Sequence, residues 1–304
     1  MFFYFFIFFK RERMDNRLSN AMQAVDAYIA DKEHKSRRPA TIRTYRTILR
    51  NTLEWLSRHG YECEPERIGE QDIRALIRDY GASEATIKYY VSTLGSFLRE
   101  AGNDTVHDMS LLWNETPHPN VRWIGPGDFE RILRHATDPT DRVAIMLMSY
   151  AGLRRGEVAA LEVADILSDC IIATGKGHGS GKKRIVPLHP KLAEEINKYM
   201  TTRQEILGAH RCSRLIVAKN PNGAPPGAMS PSTISDRIRR LCRAAGVDAT
   251  PHSFRRYFAT QIWQTMPDKD MCVLQKLLGH TSPIMTMRYI ETNRDALCQA
   301  VNRL

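Results

Sequence analysis

No apolar run in this 304-residue chain is long enough to cross a bilayer, which takes about 20 residues. The nearest approach is MFFYFFIFF, nine residues at the start. The basic KRERM follows it, the reverse of the order in a signal peptide. Met14 is an alternative start that would leave residues 1–13 outside the native protein; a membrane-surface anchor is the competing reading. Residues 1–17 are therefore set aside as an extension. The six cysteines, at 63, 170, 212, 242, 272 and 298, show no CxxC and no paired spacing. That argues against a disulfide frame and a zinc site and suits a reduced, cytoplasmic protein. No carboxylate cluster offers itself to a metal, and GKGHGSGKK is not the GxxxxGK[ST] of a nucleotide-binding loop. No cofactor is expected, and no internal repeat is present.

Acidic residues are in deficit. Lys and Arg number 44 against 34 Asp and Glu, a net charge of +10 and a pI near 9.4. A polyanionic partner, most commonly nucleic acid, fits that excess, although a merely soluble basic surface fits it as well.

Helical periodicity dominates what remains. Ile42, Tyr45, Leu49, Leu53 and Leu56 predict a helix from Thr41 to His59. Ile87, Tyr90, Val91, Leu94, Phe97 and Leu98 predict another from Ser83 to Ala101, with Ser83 as N-cap and Gly102 as stop. Shorter helices are predicted near 19–32 and 71–80. Residues 18–101 thus make a small all-helical domain. Arg43, Arg46, Arg50 and Lys88 lie on its polar faces, which are either solvated or meet phosphates. Residues 102–121, with Gly102, Asn103, Pro117, Pro119 and Asn120, read as a linker. Residues 122–304 form a second domain, helical except for a hairpin. Its predicted strands, 171–174 and 184–188, flank the glycine-rich tip.

Four stretches of the second domain carry chemistry. In YAGLRRGEVAAL, Gly152 ends a helix and Arg154 stands at the start of the next, where a guanidinium and backbone N–H groups share an anion. Glu157, three residues on, orients Arg154 from the same face. In ATGKGHGSGKKRIVPL, Lys176 sits on the hairpin tip, with Lys182, Lys183 and Arg184 nearby. In TPHSFRRYFAT, Thr250 and Pro251 open a helix and place His252 and Arg255 at i and i+3. In LGHTSPIMTMRY, Gly279 ends a helix, His280 emerges from its cap, and Tyr289 follows nine residues later. Taken singly, each has a bland reading: a surface arginine, a capping histidine, a core tyrosine. Together they suit phosphoryl transfer. Fixed guanidinium groups stabilise charge on the equatorial oxygens, a phenol attacks, and a lysine protonates the leaving oxygen.

In this order the residues resemble the tyrosine recombinase (phage integrase) family. GLRRGE, GKG with KKRIVPL, HSFR, LGH and MRY match its arginine box, hairpin lysine, HxxR, GH box and tyrosine. The resemblance implies a mainly α fold with a small β-hairpin, in which a SAM-like core-binding domain precedes the catalytic domain. It implies that Arg154 and Arg255 clamp the scissile phosphate and that His252 helps take the tyrosine proton. It implies that His280 hydrogen-bonds a phosphate oxygen, that Lys176 is the general acid, and that Tyr289 is the nucleophile of a 3′-phosphotyrosyl intermediate. Arg43, Arg46, Arg50, Lys88, Lys182, Lys183 and Arg184 are expected as DNA contacts. The expected partners are double-stranded DNA at a specific site, a homotetramer on two duplexes, and accessory proteins. Asp295–Leu304 is expected to be a helix that packs into a neighbouring subunit. The sequence departs from the family pattern at Arg256, where many relatives carry a second histidine, and at Arg155-Gly156. The hairpin tip is slightly long, which leaves Lys182 as a competitor of Lys176. With no arm-binding domain of usual size before residue 18, a simple Xer-like recombinase is favoured over an arm-site-dependent integrase. A catalytically silent DNA-binding protein of the same fold and a type IB topoisomerase-like enzyme are the alternatives.

Overall fold

The computed structural model describes residues 2–35, 39–109, 123–175, 182–219, 222–280 and 282–287. The chain divides into two compact units, Met1–Thr116 and Pro117–Leu304.

Among the described residues the first unit has five helices: α1 (Phe2–His34), α2 (Pro39–Arg58), α3 (Glu70–Asp79), α4 (Glu84–Glu100) and α5 (Thr105–Asp108). The helix expected over residues 19–32 is the last part of the long α1. No glycine or proline interrupts residues 2–34, so nothing in the backbone stops the helix earlier. Among the described residues, no helix is long and apolar enough to cross a membrane. Val25 and Ile29 of α1 pack with Leu49, Leu53 and Leu56 of α2 and with Val91, Leu94, Phe97 and Leu98 of α4. Ser83 caps α4 by accepting from the Thr86 amide at 3.3 Å. Gly102, at φ +79°, ends it in the left-handed region that glycine adopts without strain.

Part of the stretch read as a linker, 102–121, is helical. Residues Thr105–Asp108 are helical and belong to the first unit, where Val106 packs on α4. A Cβ on Gly95 would lie 2.7 Å from Val106 Cγ1, so the two backbones approach only because residue 95 has no side chain.

The second unit surrounds α7 (Pro139–Tyr150), which follows α6 (Pro126–His135). Seven successive residues of α7, Val143–Ser149, are buried, as its nearly unbroken apolar sequence requires. Next come α8 (Arg155–Ala160), a 3₁₀ turn at Val163–Asp165, and the hairpin of β1 (Cys170–Thr174) and β2 (Lys183–Pro187). The hairpin pairs Ala173 with Arg184 and Thr174 with Lys183. Helix α9 (Pro190–Leu207) leads to a two-residue pair, β3 (Val217–Ala218) with β4 (Gly227–Ala228). That pair was not foreseen, because two-residue strands carry no periodicity. Helices α10 (Pro231–Ala244), α11 (Pro251–Thr265), α12 (Met271–Leu278) and α13 (Pro283–Met287) complete the described chain. Phe254 joins the main core, while Phe258 and Ala259 pack with Leu274 and Leu278 and so seat α12 on α11.

Candidate active site

Three short segments, distant in sequence, meet at one buried carboxylate. Arg154 is the N-cap residue of α8, and Glu157 reaches back to it in the manner of a capping box. Glu157 Oε2 accepts from the Arg154 amide at 2.8 Å, and Oε1 accepts from Arg154 Nη1 at 2.9 Å. Two further guanidinium groups arrive from elsewhere. Arg184 of β2 donates to both carboxylate oxygens, at 2.9 and 2.8 Å. Arg255 Nη1, from α11, stands 3.8 Å from Oε2. Burial alone would push the Glu157 pKa up. The Arg184 fork and the Arg154 contacts override it and hold the carboxyl below its ordinary range.

Arg255 has no solvent-exposed surface. It donates to the carbonyls of Gly152 and Leu278, and its Nη2 lies 3.1 Å from His280 Nε2. A guanidinium has no acceptor, so Nε2 must accept. The ring proton then sits on Nδ1 and is donated to Thr286 Oγ1 at 3.0 Å. His280 Nε2 is thus an acceptor toward Arg255.

Local sequence explains these placements. Helix α7 ends at Gly152, whose φ of +59° turns the chain toward Arg154, and a Cβ there would lie 2.5 Å from Phe258 Cδ1. Helix α11 opens with Pro251 at N1, and Ser253 Oγ accepts from the Thr250 amide at 3.1 Å. Helix α12 ends on Gly279 at φ +63°, which presents His280. Gln275 then grips His280 through both its amide and its carbonyl, each at 3.1 Å.

His252 differs from His280 in being exposed at the surface of α11. Its pKa is pushed down to about 4, first by loss of solvation around the ring and then by Arg256, Arg255 and Arg154. That of His280 also falls to about 4, first through burial and then through Arg255, Arg154, Arg184 and His252. Solvent screens part of the effect at His252, so His280 is held neutral the more firmly. The sign of the pH dependence follows. Unfolded histidines take up protons below about 6.5. The folded site refuses them until about 4. The unfolded state therefore binds more protons in between, and stability falls as pH drops through that window. Thermal melting from pH 7.5 to 4.5 is expected to show a flat region above about pH 7 and a declining melting temperature below it. A melting temperature that rises on acidification would overturn the neutral assignment.

An open cleft of about 730 Å³ adjoins this cluster, lined among others by Arg154, Gly175, Lys182, Lys276, His280 and Met285. Lys182, which lines it, and Lys183, the next residue in the chain, are exposed. Arg184, expected as a DNA contact, also lines this cleft, but its side chain is only 8% exposed and its fork is occupied by Glu157. Parity in β2 carries the missed signal, since Arg184 shares the face of buried Val186 while Lys183 and Ile185 point out. In the first unit, Arg43 is exposed, and Arg46, Arg50 and Lys88 pair with Glu33, Asp26 and Glu84. Such pairs at the surface contribute at most about 1 kcal/mol. Lys176, Tyr289 and the segment 295–304 lie outside the described residues.

A cationic pocket built around one carboxylate, with imidazoles beside it, has the charge and donors that suit an anion. Residues 122–295 match the family described as the phage integrase family, and residues 25–103 match the phage integrase N-terminal SAM-like domain. The chain belongs to the phage integrase family and is a tyrosine recombinase, an enzyme of DNA strand breakage and rejoining. Among its relatives, the tyrosine recombinase XerA of Pyrococcus horikoshii is 26% identical over 296 residues, covering 96% of each chain. The tyrosine recombinase XerC of Alcanivorax borkumensis is 25% identical over 94% of each chain. In fold the chain is similar to the Tn1549 transposon integrase in complex with transposon right end DNA, with a TM-score of 0.71 at 19% identity, covering 94% of this chain and 99% of that one. It is also similar to a lambda integrase tetramer bound to a Holliday junction, with a TM-score of 0.69 at 20% identity, covering 88% and 76%.

Proposed function

We propose that this chain is a site-specific recombinase that cleaves and rejoins DNA through a 3′-phosphotyrosyl intermediate on Tyr289. The observation that carries this reading is the charge count at Glu157. One buried carboxylate faces Arg154, Arg184 and Arg255, leaving a surplus of two positive charges beside an open cleft. A buried surplus of this kind is relieved by an anion. A phosphodiester brings one negative charge, and its transfer develops more on the equatorial oxygens.

In this mechanism Arg154 and Arg255 hold the two non-bridging oxygens. The Tyr289 oxygen attacks phosphorus, its proton passes toward His252, and the 5′-oxygen leaves with a proton from Lys176. A nearby phosphate anion raises the pKa of His252 from about 4, which makes it a better base once DNA is bound. Phosphate also competes for Arg255 Nη2, which releases His280 Nε2 to take a proton and donate to an oxygen. The phosphotyrosyl ester conserves the bond, so rejoining needs neither ATP nor metal. The substrate is double-stranded DNA at a specific site. Arg43, Arg46, Arg50, Lys88, Lys182 and Lys183 touch its backbone, and accessory proteins assist where the site requires them. A homotetramer on two duplexes is the proposed assembly, which the tetrameric lambda integrase structure supports.

Covalent trapping tests the reading. The protein is mixed with host genomic fragments in excess EDTA and quenched with SDS. The expected result is DNA joined to protein, and sequencing the trapped fragments identifies the site. Binding without any adduct would favour a silent DNA-binding protein. Adducts scattered without a shared site, with supercoil relaxation, would favour a topoisomerase-like enzyme.

A further inference from the structure

Arg184 is the junction of the site rather than a contact for DNA, and we propose that it is a positioning residue for the phosphate-binding groups. The inference rests on the strand-transfer reading above. Each nitrogen of its guanidinium has a partner. Nη1 and Nη2 fork onto Glu157, and Nε donates to the Leu277 carbonyl at 2.9 Å. These two partners belong to the two arms of the pocket. Glu157 orients Arg154 at the start of α8. Leu277 lies in the last turn of α12, two residues before the Gly279 turn that delivers His280.

Packing enforces the same link. A Cβ on Gly279 would lie 2.9 Å from Arg184 Cδ, so the side chain rests directly on the turn. A Cβ on Gly175 would meet Glu157 Oε1 at 3.3 Å and Arg184 Nη1 at 3.8 Å. Gly175 itself closes the hairpin base, its amide donating to the Lys182 carbonyl at 2.8 Å. One planar fork thus sets α8, the hairpin and the α12 terminus in mutual register. Lysine cannot substitute, because a point charge on a flexible stem has no fork with which to fix two oxygens and a carbonyl at once. A shift of well under 1 Å at such a junction is enough to lose catalytic alignment.

The test compares Arg184→Lys with the unaltered protein on a duplex carrying the trapped site. Two versions of the duplex are used: one with the natural scissile phosphate, one with a methylphosphonate there. The neutral methylphosphonate needs little help from Arg154 and Arg255, so a misaligned clamp costs little on it. Expected is a single-turnover cleavage rate lowered about 10- to 100-fold on the natural phosphate and less than about threefold on the methylphosphonate. DNA affinity and its salt dependence are expected to be unchanged. Gly279→Ala approaches the junction from the other side, pressing on Arg184 Cδ, and is expected to show the same substrate dependence. Equal slowing on both duplexes, or none on either, overturns the proposal. So does weakened binding with a salt slope reduced by about one, the mark of a direct phosphate contact. The strand-transfer reading fails separately, if the unaltered protein forms no adduct on the natural phosphate.

Discussion

Tyr289→Phe is expected to leave DNA binding intact and to lower covalent adduct formation by at least about four orders of magnitude, as loss of a nucleophile does. The change removes one oxygen and keeps the ring, so packing and charge are nearly conserved. The oxygen, however, is the atom that bonds to phosphorus, and no water placed by chance replaces it on the reaction path. The surrounding cations would remain. Arg154, Arg255 and the exposed lysines beside the cleft are contributed by α8, α11 and the hairpin, so their attraction for the backbone persists. SDS-resistant adducts measure the first effect and mobility shifts the second. An adduct retained at the normal rate would assign the nucleophile to another residue and sink the mechanism.

Glu157→Gln is expected to damage both stability and catalysis. Glu157 is 6% exposed and balances Arg184, itself nearly buried, together with Arg154 and Arg255. Glutamine has nearly the same shape, so the change removes the charge without opening a cavity. Removing one partner of a buried pair leaves the other uncompensated, at a cost of about 3–5 kcal/mol. In a domain of this size the corresponding fall in melting temperature is roughly 6–20 °C at pH 7. The amide also donates where the carboxylate accepted, so part of the Arg184 fork is repelled. Acid should mimic the substitution. The folded Glu157 pKa lies below its ordinary value, so its stabilisation is fully present above about pH 4.5 and is lost as pH falls through the folded value. The gap between the two proteins should therefore narrow as pH is lowered. Calorimetry at pH 7 and pH 4 checks both statements. An unchanged melting temperature at pH 7 would show that the carboxylate does not hold the cluster together.

Much of the molecule is written locally. Ser83 and Gly102 delimit α4, Pro251 opens α11, and Gly279 closes α12, because caps and stops depend on a residue and its neighbours within one turn. The hairpin is likewise announced by β-branched runs on either side of a glycine-rich tip. Arg154, His252, Arg255 and His280 are legible for a different reason: they follow one another in the order of the family pattern.

Other features were decided by segments far apart in sequence. Residues 105–108 lack a long periodic pattern, yet Val106 finds the space beside Gly95 and the chain coils there. His280 is chemically able to donate to a phosphate, yet Arg255 makes it an acceptor in this state. Arg184 reads as one more cation in KKR. Only the β1–β2 register turns it inward, and only a carbonyl 93 residues away completes its coordination. Sequence by itself determined the longer helices, several of their caps and the roster of reactive groups, since propensity and side-chain chemistry act over a few residues. Tertiary structure alone decided which cations meet at Glu157, because a buried charge is settled by whatever partner the packed chain brings within reach.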